Sequence, residues 1–355
     1  MSSTIFEQRV RNVMPASGGL AVETRAGAPF ELLIGLSVLC DEARDGRSWV
    51  PPLADCPPAV RRAIERVGDR AGETWLHLLG LALELPGTGV DQFLDELEQV
   101  DELEFRRHLV GVHVPAWRTI VGGDTLERAA AGERGAIRAL RAGDRYYAGR
   151  ARDSLSVVLP LTPKQTKRRF VDVLRRFEPL FDERAAELVP ALEEDARRRR
   201  EAATGTTPES LIAGATGGYI YEPEPEFRRV ILIPHAAAAP SLLLCQHRDA
   251  RVICYPPPDD AAAGADLDQR VVRLGKALGD PARVRIVRRL VRGEASLGEL
   301  AEEAGLAKST AHHHLAALRA AGLVVLRGNA RGYWYTLRLE GLAEARTLLA
   351  DLLEP

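Results

Sequence analysis

The sequence predicts a mainly α-helical protein, with a large helical N-terminal region and a small β-sheet, followed by a C-terminal α+β domain of helices and a hairpin. Apolar residues recur at helical spacing through most of positions 1–215. Short β-branched and aromatic runs follow in 216–256, and a stretch rich in Pro, Asp and Ala separates them from the last quarter of the chain. With 355 residues, the chain is long enough for two or three domains.

The helical region is predicted from spacing and from helix-start signals. Four helices with apolar residues at helical spacing are predicted over 30–41, 58–67, 73–84 and 90–110. Pro163 and Pro208 each follow a threonine, and a capping residue before proline is typical of a helix start. A charged helix is expected over 182–203, and Pro179 and Pro190 are expected to mark breaks or kinks. We therefore predict a helical domain over 1–215, with a role in dimerisation or sensing.

After position 215 the helical spacing of apolar residues gives way to short apolar runs, which predict strands. Four short strands are expected over 219–221, 229–233, 242–246 and 252–255, separated by turns that contain Pro, His, Arg and Asp. They predict a small β element over 216–256 that packs on the helical domain. The run that begins at Pro256 predicts a linker over 257–265, so the last domain is expected to cover 266–355.

The last domain begins with helices whose ends are marked in the sequence. Asp280 before Pro281 predicts a helix start, and the helix is expected to end before Gly293. Ser296 and Glu299 have the spacing of a capping box, which predicts a short second helix. Gly305 then makes a tight turn, and Leu306 is the apolar residue that would hold this turn against its neighbours.

A third helix is predicted over 307–320, with an apolar side and a polar side. Ala311, Leu315 and Leu318 follow the i, i+4, i+7 spacing of a buried face. The polar side is expected to carry Lys308, Ser309, His312, Ala316 and Arg319, flanked by Thr310 and His313. Lysine suits phosphates or guanine, while hydroxyls and neutral imidazoles can bond phosphates or base edges.

Two strands and a Gly/Asn tip follow, over 323–327 and 333–337. Arg327, Asn329 and Arg331 lie at or beside the tip, where a wing would contact backbone phosphates. Helices, tight turn, polar helix and basic hairpin together predict a winged helix-turn-helix, which places one helix in the major groove of double-stranded DNA.

Several short pieces of this domain occur in a recognisable combination. They are Leu278-Gly279-Asp280-Pro281-Ala282-Arg283, Leu300-Ala301, Ser309-Thr310 with His313-His314-Leu315, Leu318-Arg319-Ala320-Ala321-Gly322-Leu323-Val324, and Tyr335-Thr336-Leu337. Together they resemble the arsenic-repressor (ArsR-like) family of bacterial winged-helix regulators. The resemblance implies a repressor that binds operator DNA as a homodimer, with the helices over 267–278 and 342–353 paired with those of a second copy. The run Pro29-Phe30-Glu31-Leu32-Leu33 and the order of elements are similar to long-form members with an additional N-terminal helical region.

The chain departs from the family at its metal sites. Members that sense metals through cysteines carry them before the turn, where this chain has Ala295, Ser296 and Leu297. Others use Asp and His on the last helix, which here has only Asp351 and no histidine. No metal site is therefore carried over, and no cofactor is expected. His312 stands where a small polar residue is common, and Ala307 where a serine cap is common.

Charge and cysteine content narrow the class of protein. Residues 266–338 hold thirteen Lys/Arg and seven Asp/Glu, although the whole chain has a net charge of −2. A basic segment on an otherwise acidic chain is typical of DNA binding. The four cysteines lack Cys-x-x-Cys spacing and are expected to be free thiols in a reducing cytoplasm, although Cys245 and Cys254 could face each other across a hairpin. Neither a signal peptide nor a membrane span is predicted.

Three other sets of residues have a structural and a functional interpretation. His312, His313 and His314 could bind metal, but consecutive helical residues point about 100° apart, so we expect the first two to face DNA and His314 to pack beside Leu318. Four arginines at 197–200 follow Glu193, Glu194 and Asp195, which favours ion pairs on a solvated helix over a second DNA contact. A further set could line a ligand pocket but is more typical of a core: Trp75, His77, Trp117, Tyr146 and Tyr147.

The sequence thus predicts a cytoplasmic, non-enzymatic transcription regulator whose N-terminal domain could bind a small-molecule effector. No zinc spacing, nucleophile elbow, P-loop or dinucleotide fingerprint is present, so no catalytic residue is predicted. Two alternatives stay open. The N-terminal region could be a ligand-binding or enzymatic module with an accessory winged helix, or the winged helix could serve contacts between proteins.

Overall fold

The structure is a computed structural model that describes residues 20–40, 48–67, 72–142, 155–257, 267–329 and 332–352. It confirms a mainly α-helical chain with small sheets. The elements of the N-terminal region are β1 (Ala21–Thr24), α1 (Ala28–Leu39), α2 (Pro58–Val67), α3 (Gly72–Glu84), α4 (Val90–Gln99), α5 (Glu102–Val110), α6 (Pro115–Val121), α7 (Gly123–Ala130), α8 (Arg134–Ala142), α9 (Pro163–Ala202), α10 (Pro208–Thr216), β2 (Tyr219–Tyr221), β3 (Arg229–Pro234), β4 (Leu243–His247) and β5 (Ala250–Tyr255).

The C-terminal elements follow the predicted order. They are α11 (Leu267–Leu278), α12 (Pro281–Val291), α13 (Leu297–Ala304), α14 (Lys308–Ala320), β6 (Val324–Asn329), β7 (Gly332–Leu337) and α15 (Leu339–Asp351). Within the described ranges, no helix combines the length and the apolar character that a membrane crossing requires. Residues 258–265 of the predicted linker, Tyr146, Tyr147 and Arg331 lie outside the described residues.

Two predictions about the N-terminal helices were wrong. The span 90–110 is not one helix, because Asp101 starts α5 by accepting hydrogen bonds from the backbone N–H groups of Leu103 and Glu104. The charged helix expected over 182–203 is not separate either: α9 continues for 40 residues through both Pro179 and Pro190, so neither proline breaks it. A proline removes one backbone donor, and burial of side chains along α9 in the core offsets that loss.

A four-stranded sheet joins the two parts of the chain. Its order is β1-β3-β5-β4, with β4 antiparallel to β5 and the other pairs parallel. One face packs into the N-terminal helical core through Ile231, Ile233, Val252 and Cys254. The opposite face joins the core of the C-terminal domain through Val230, Leu232, Ile253 and Tyr255. Burial on both faces explains the unbroken apolar runs of β3 and β5.

One strand was not predicted from the sequence, and another joins a different sheet from the one expected. β1 pairs with β3 although most of the first 215 positions were expected to be helical. β2 does not join the four-stranded sheet, but pairs in parallel with β6 and forms the sheet β2-β6-β7. The hairpin of the C-terminal domain is therefore extended by a strand of the preceding region. All four cysteines are buried thiols. Cys245 lies opposite Val252, so Cys254 is its diagonal neighbour.

Candidate DNA-binding surface

Local capping signals position the helices around α14, as predicted. The Asp280 carboxylate accepts hydrogen bonds from the N–H groups of Ala282 and Arg283 at the start of α12. Ser296 and Glu299 form a complete capping box at the start of α13. Gly305 ends α13 with a left-handed backbone (φ 68°), and Leu306 packs partly buried against the domain core. These contacts fix the turn from which α14 begins.

The first half of α14 carries the predicted polar strip. Lys308 and Thr310 are exposed, while Ser309, His312 and His313 are partly exposed. On the opposite side, Ala311, Leu315 and Leu318 are fully buried, which anchors the helix through its apolar face. The structure therefore brings the five base-proximal candidates together on one accessible stretch. The N-cap Ala307 makes no side-chain capping bond, as the missing hydroxyl led us to expect.

The three consecutive histidines have different surroundings. The rings of His312 and His313 meet edge to face, with centroids 6.1 Å apart. His314 turns towards α12, where its Nδ1 lies 3.9 Å from a carboxylate oxygen of Asp280. Burial lowers the pKa of His314, and the nearby Asp280 opposes that shift. His314 thus belongs to the packing between α12 and α14.

Arg319 does not lie on the accessible strip, and this candidate contact requires correction. It is 5% exposed, and its guanidinium donates hydrogen bonds to the carbonyl oxygens of Thr216 and Pro240. Burial lowers the pKa of Arg319 to about 10, so it stays protonated at neutral pH. Ala316, also expected on the polar side, is buried as well. The N-terminal region therefore contacts the second half of α14 at Arg319.

The hairpin lies where the sequence placed it. β6 and β7 pair antiparallel, with Asn329 opposite Gly332 at the tip. Arg327 is partly exposed on β6. A Cβ atom at Gly328 would lie 2.5 Å from Tyr333 Cδ1 and 2.8 Å from the hydroxyl of Tyr219, so only glycine allows these two rings to approach β6 this closely. The wing strand is thereby packed against β2.

Sequence reasoning missed the residues that hold the second half of α14. Thr216 is the last residue of α10, so its carbonyl lies at the partially negative end of that helix, where a cation is favoured. The adjacent pair Gly217-Gly218 has positive φ angles of 65° and 99°, which turn the chain from α10 into β2. Two consecutive glycines after an apolar helix signalled this sharp turn, but the sequence held no signal for Arg319 as its partner.

The two tryptophans and the arginine run at 197–200 have the structural roles that the sequence favoured, in the core and in ion pairs on a helix. Trp75 and Trp117 are core residues, and the ring of Trp75 lies 4.8 Å from that of Phe170. Arg197 pairs with Glu194 and Glu201, and other residues of that arginine run also pair with carboxylates on the same helix. A second basic DNA contact is not needed to explain that run.

Fold and surface together define the C-terminal part as a DNA-binding helix-turn-helix domain. Residues 278–327 match the model of a helix-turn-helix domain. The chain is 41% identical over 78 residues to the transcriptional regulator CmtR of Mycobacterium tuberculosis, and 37% identical over 75 residues to the biofilm growth-associated repressor of Xylella fastidiosa. These alignments span only 66% of each relative, and 22% and 20% of this chain.

A third relative is matched over more of its length. The helix-turn-helix-type transcriptional regulator YceK of Bacillus subtilis is 41% identical over 73 residues, which are 73% of that protein and 20% of this chain. The chain belongs to the helix-turn-helix family of transcriptional regulators.

Proposed function

We propose that the chain is an ArsR-like repressor that binds operator DNA as a homodimer, with α14 in the major groove. The observation that carries this proposal is the accessible strip of Lys308, Ser309, Thr310, His312 and His313 at the start of α14, because recognition helices contact bases with their N-terminal residues. Arg327, Asn329 and Arg331 are the proposed wing contacts with phosphates. The DNA-binding domain is proposed to cover 266–355.

Dimerisation is proposed through α11 and α15. These helices pack against each other, and they leave Val272 52%, Leu349 48% and Leu352 45% exposed. Three exposed aliphatic side chains on two neighbouring helices favour a contact with a second copy over contact with water. Two copies would present two α14 helices to half-sites about one turn of DNA apart.

Footprinting on the DNA upstream of the chain's own gene tests this proposal. The wild-type protein is expected to protect two half-sites, and Thr310→Ala should weaken protection by about tenfold through loss of one base or phosphate contact. Thr119→Ala, which also changes an exposed helical threonine but lies on α6, should protect the DNA like the wild type. Absence of protection at low salt would instead favour a winged helix that contacts proteins.

A second candidate function for the N-terminal region rests on an open cavity of about 350 Å³ between α1, α4 and α9. Phe181 lines it together with the carboxylates of Asp91, Glu178 and Asp182. Burial and the neighbouring Asp91 raise the pKa of Glu178. An apolar ring with several acids suits a small cationic effector or substrate. Purified protein that tightly retains or converts such a compound would support a ligand-binding or enzymatic module.

A further inference from the structure

A second group of histidines comes together in the N-terminal region, far along the chain from α14. His108 is buried on α5, and neither of its ring nitrogens has a hydrogen-bond partner among the described residues. Its Nε2 lies 3.6 Å from a carboxylate oxygen of Glu104 and 3.7 Å from one of Glu84. Both distances exceed that of a normal hydrogen bond. A buried imidazole that faces two carboxylates without bonding either of them requires an explanation.

Glu104 and His113 complete a compact set of donor atoms with His108. Glu104 and His108 are four residues apart on α5, so both side chains project from one face of the helix. Gly111 then ends α5 with a left-handed backbone (φ 80°), and the chain returns His113 to the same place. One donor atom from each of the three residues lies within 4.8 Å of the others. The rings of His108 and His113 have centroids 4.5 Å apart.

His247 of β4 and Glu84 of α3 flank this set. His247 Nε2 lies 2.8 Å from Glu84 Oε1, and its ring stacks on that of His108 with centroids 5.5 Å apart. A Cβ atom at Gly80 would lie 2.2 Å from His247 Nδ1, so the imidazole occupies the space of a missing side chain on α3. Glycine inside a helix costs about 1 kcal/mol relative to alanine. The close approach of His247 gives that glycine a structural role.

Burial and neighbouring charges change the pKa values within this group. Burial lowers the pKa of His247 to about 4, and it also lowers the pKa of His113. Burial alone would raise the pKa values of Glu84 and Glu104, but their histidine and arginine neighbours outweigh it and lower both.

The spacing of His108 and Glu104 is close to that of two ligands of one ion. Two ligand atoms about 2.0–2.1 Å from a tetrahedral zinc ion are about 3.4 Å apart. The 3.6 Å gap between His108 Nε2 and Glu104 Oε1 is close to that separation. The shorter contact, 2.9 Å between His113 Nε2 and Glu104 Oε1, is a hydrogen bond that an ion would replace. Glu84 also accepts a hydrogen bond from Arg248, whose Nε lies 2.6 Å from Glu84 Oε1.

We propose that Glu104, His108 and His113 bind one divalent transition-metal ion of the zinc class, with Glu84 and His247 beside the ion. Imidazole and carboxylate donors select such ions over Mg²⁺ and Ca²⁺, which prefer oxygen ligands. The ion would tie α5 to the turn that follows it, next to the sheet strand β4. This site is separate from the DNA-binding surface, and it does not depend on the proposed function.

Zn²⁺ and Co²⁺ titrations of the chelator-treated full-length chain test the proposal. The wild type is expected to bind one ion per chain, to show visible Co²⁺ absorption of a low-coordinate site, and to unfold at a higher temperature with Zn²⁺. Glu104→Gln keeps the shape of the side chain, and His113→Gln replaces a second partly exposed residue by an uncharged polar one. Each should weaken binding at least about 10–100-fold, the loss expected when even an outer partner of a metal is removed.

The controls separate this site from the histidines of α14 and from a folding defect. His312→Gln should bind Zn²⁺ like the wild type, because His312 lies outside the cluster. The metal-free variants should keep the far-ultraviolet circular dichroism of the wild type, and their unfolding temperatures should no longer rise with Zn²⁺. Binding of less than one ion per chain, binding that survives both substitutions, or binding lost in His312→Gln would overturn the proposal.

Discussion

Two cationic residues on α14, one at each end, have opposite surroundings. Lys308 begins the helix and is exposed, whereas Arg319 lies in the last turn and is 5% exposed. Both were expected to contact DNA because both lie on the polar side of the helix. The difference arises because the N-terminal region contacts α14 at Arg319, whereas the first turn of the helix is accessible. Amphipathic spacing identifies which face is polar, but it does not say which polar residues face solvent.

The chemistry of the two side chains agrees with their positions. The planar guanidinium of Arg319 can donate to two carbonyls at once, and it bonds both Thr216 and Pro240. Lysine has a flexible stem and a strongly hydrated ammonium, which suits a contact with phosphate at the surface. Arg319 therefore connects α14 to α10 and to the turn before β4. The N-terminal region therefore helps to set the orientation of α14, together with the other helices of its own domain.

Removal of the Arg319 side chain is expected to have the largest effect on stability. Arg319→Ala would leave the carbonyls of Thr216 and Pro240 buried without their donors, and should lower the free energy of unfolding by about 2–4 kcal/mol. Urea unfolding of the full chain measures this change, and Lys308→Ala should unfold like the wild type. If Arg319→Ala unfolded like the wild type and lost only DNA affinity, Arg319 would be a DNA contact after all.

The surroundings of Arg319 also predict sensitivity to acid. His235, at the end of β3, is fully buried, and burial together with the charge of Arg319 lowers its pKa to about 3. Because the unfolded state has the higher histidine pKa, it binds more protons, so stability is full above about pH 6.5 and falls as the pH drops towards 3. By about pH 4.5 this residue alone should cost about 2–3 kcal/mol of stability.

His235→Gln tests that expectation. Its free energy of unfolding, followed by denaturant titration between about pH 7 and pH 4.5, should fall less steeply than that of the wild type. His312→Gln, which alters a partly exposed histidine, should keep the wild-type slope. Equal slopes in wild type and His235→Gln would show that His235 is not the group responsible. Other buried histidines, including His247, would then have to supply the acid sensitivity.

The contrast along α14 shows which features a sequence can predict. The starts of α12 and α13 were predictable because Asp280 and the Ser296–Glu299 pair form their hydrogen bonds within three residues. Arg319 was not, because its partners lie 103 and 79 positions earlier in the chain. The strand β1 and the pairing of β2 with β6 were not predicted for the same reason, since their pairing partners are distant. Hydrogen bonds between neighbouring residues allowed the starts of these helices to be predicted. Contacts between residues far apart in the sequence determine which surfaces are exposed.

The histidine cluster is a further case of distant contact. His108 and His113 are close in sequence, but they lack the spacing of a known zinc motif, so no site was predicted there. His247 joins them only because β4 passes α3 at Gly80, where no side chain blocks the imidazole. By contrast, the three consecutive histidines at 312–314 point in different directions because successive residues of a helix are about 100° apart. Spacing in the sequence therefore did not show that His247 joins the first group, whereas helical geometry did predict that the triplet would separate.

The smallest predicted change concerns Lys308, at the start of α14, and the salt dependence of DNA binding. If Lys308 contacts a phosphate, Lys308→Ala should weaken DNA binding about equally for all sequences and reduce the slope of log affinity against log salt by about one unit. Fluorescence anisotropy over a series of salt concentrations measures that slope. Lys164→Ala removes an exposed lysine from α9 and should leave it unchanged. A wild-type slope and affinity in Lys308→Ala would remove this residue from the contact surface and shift the proposed footprint towards Thr310 and the wing.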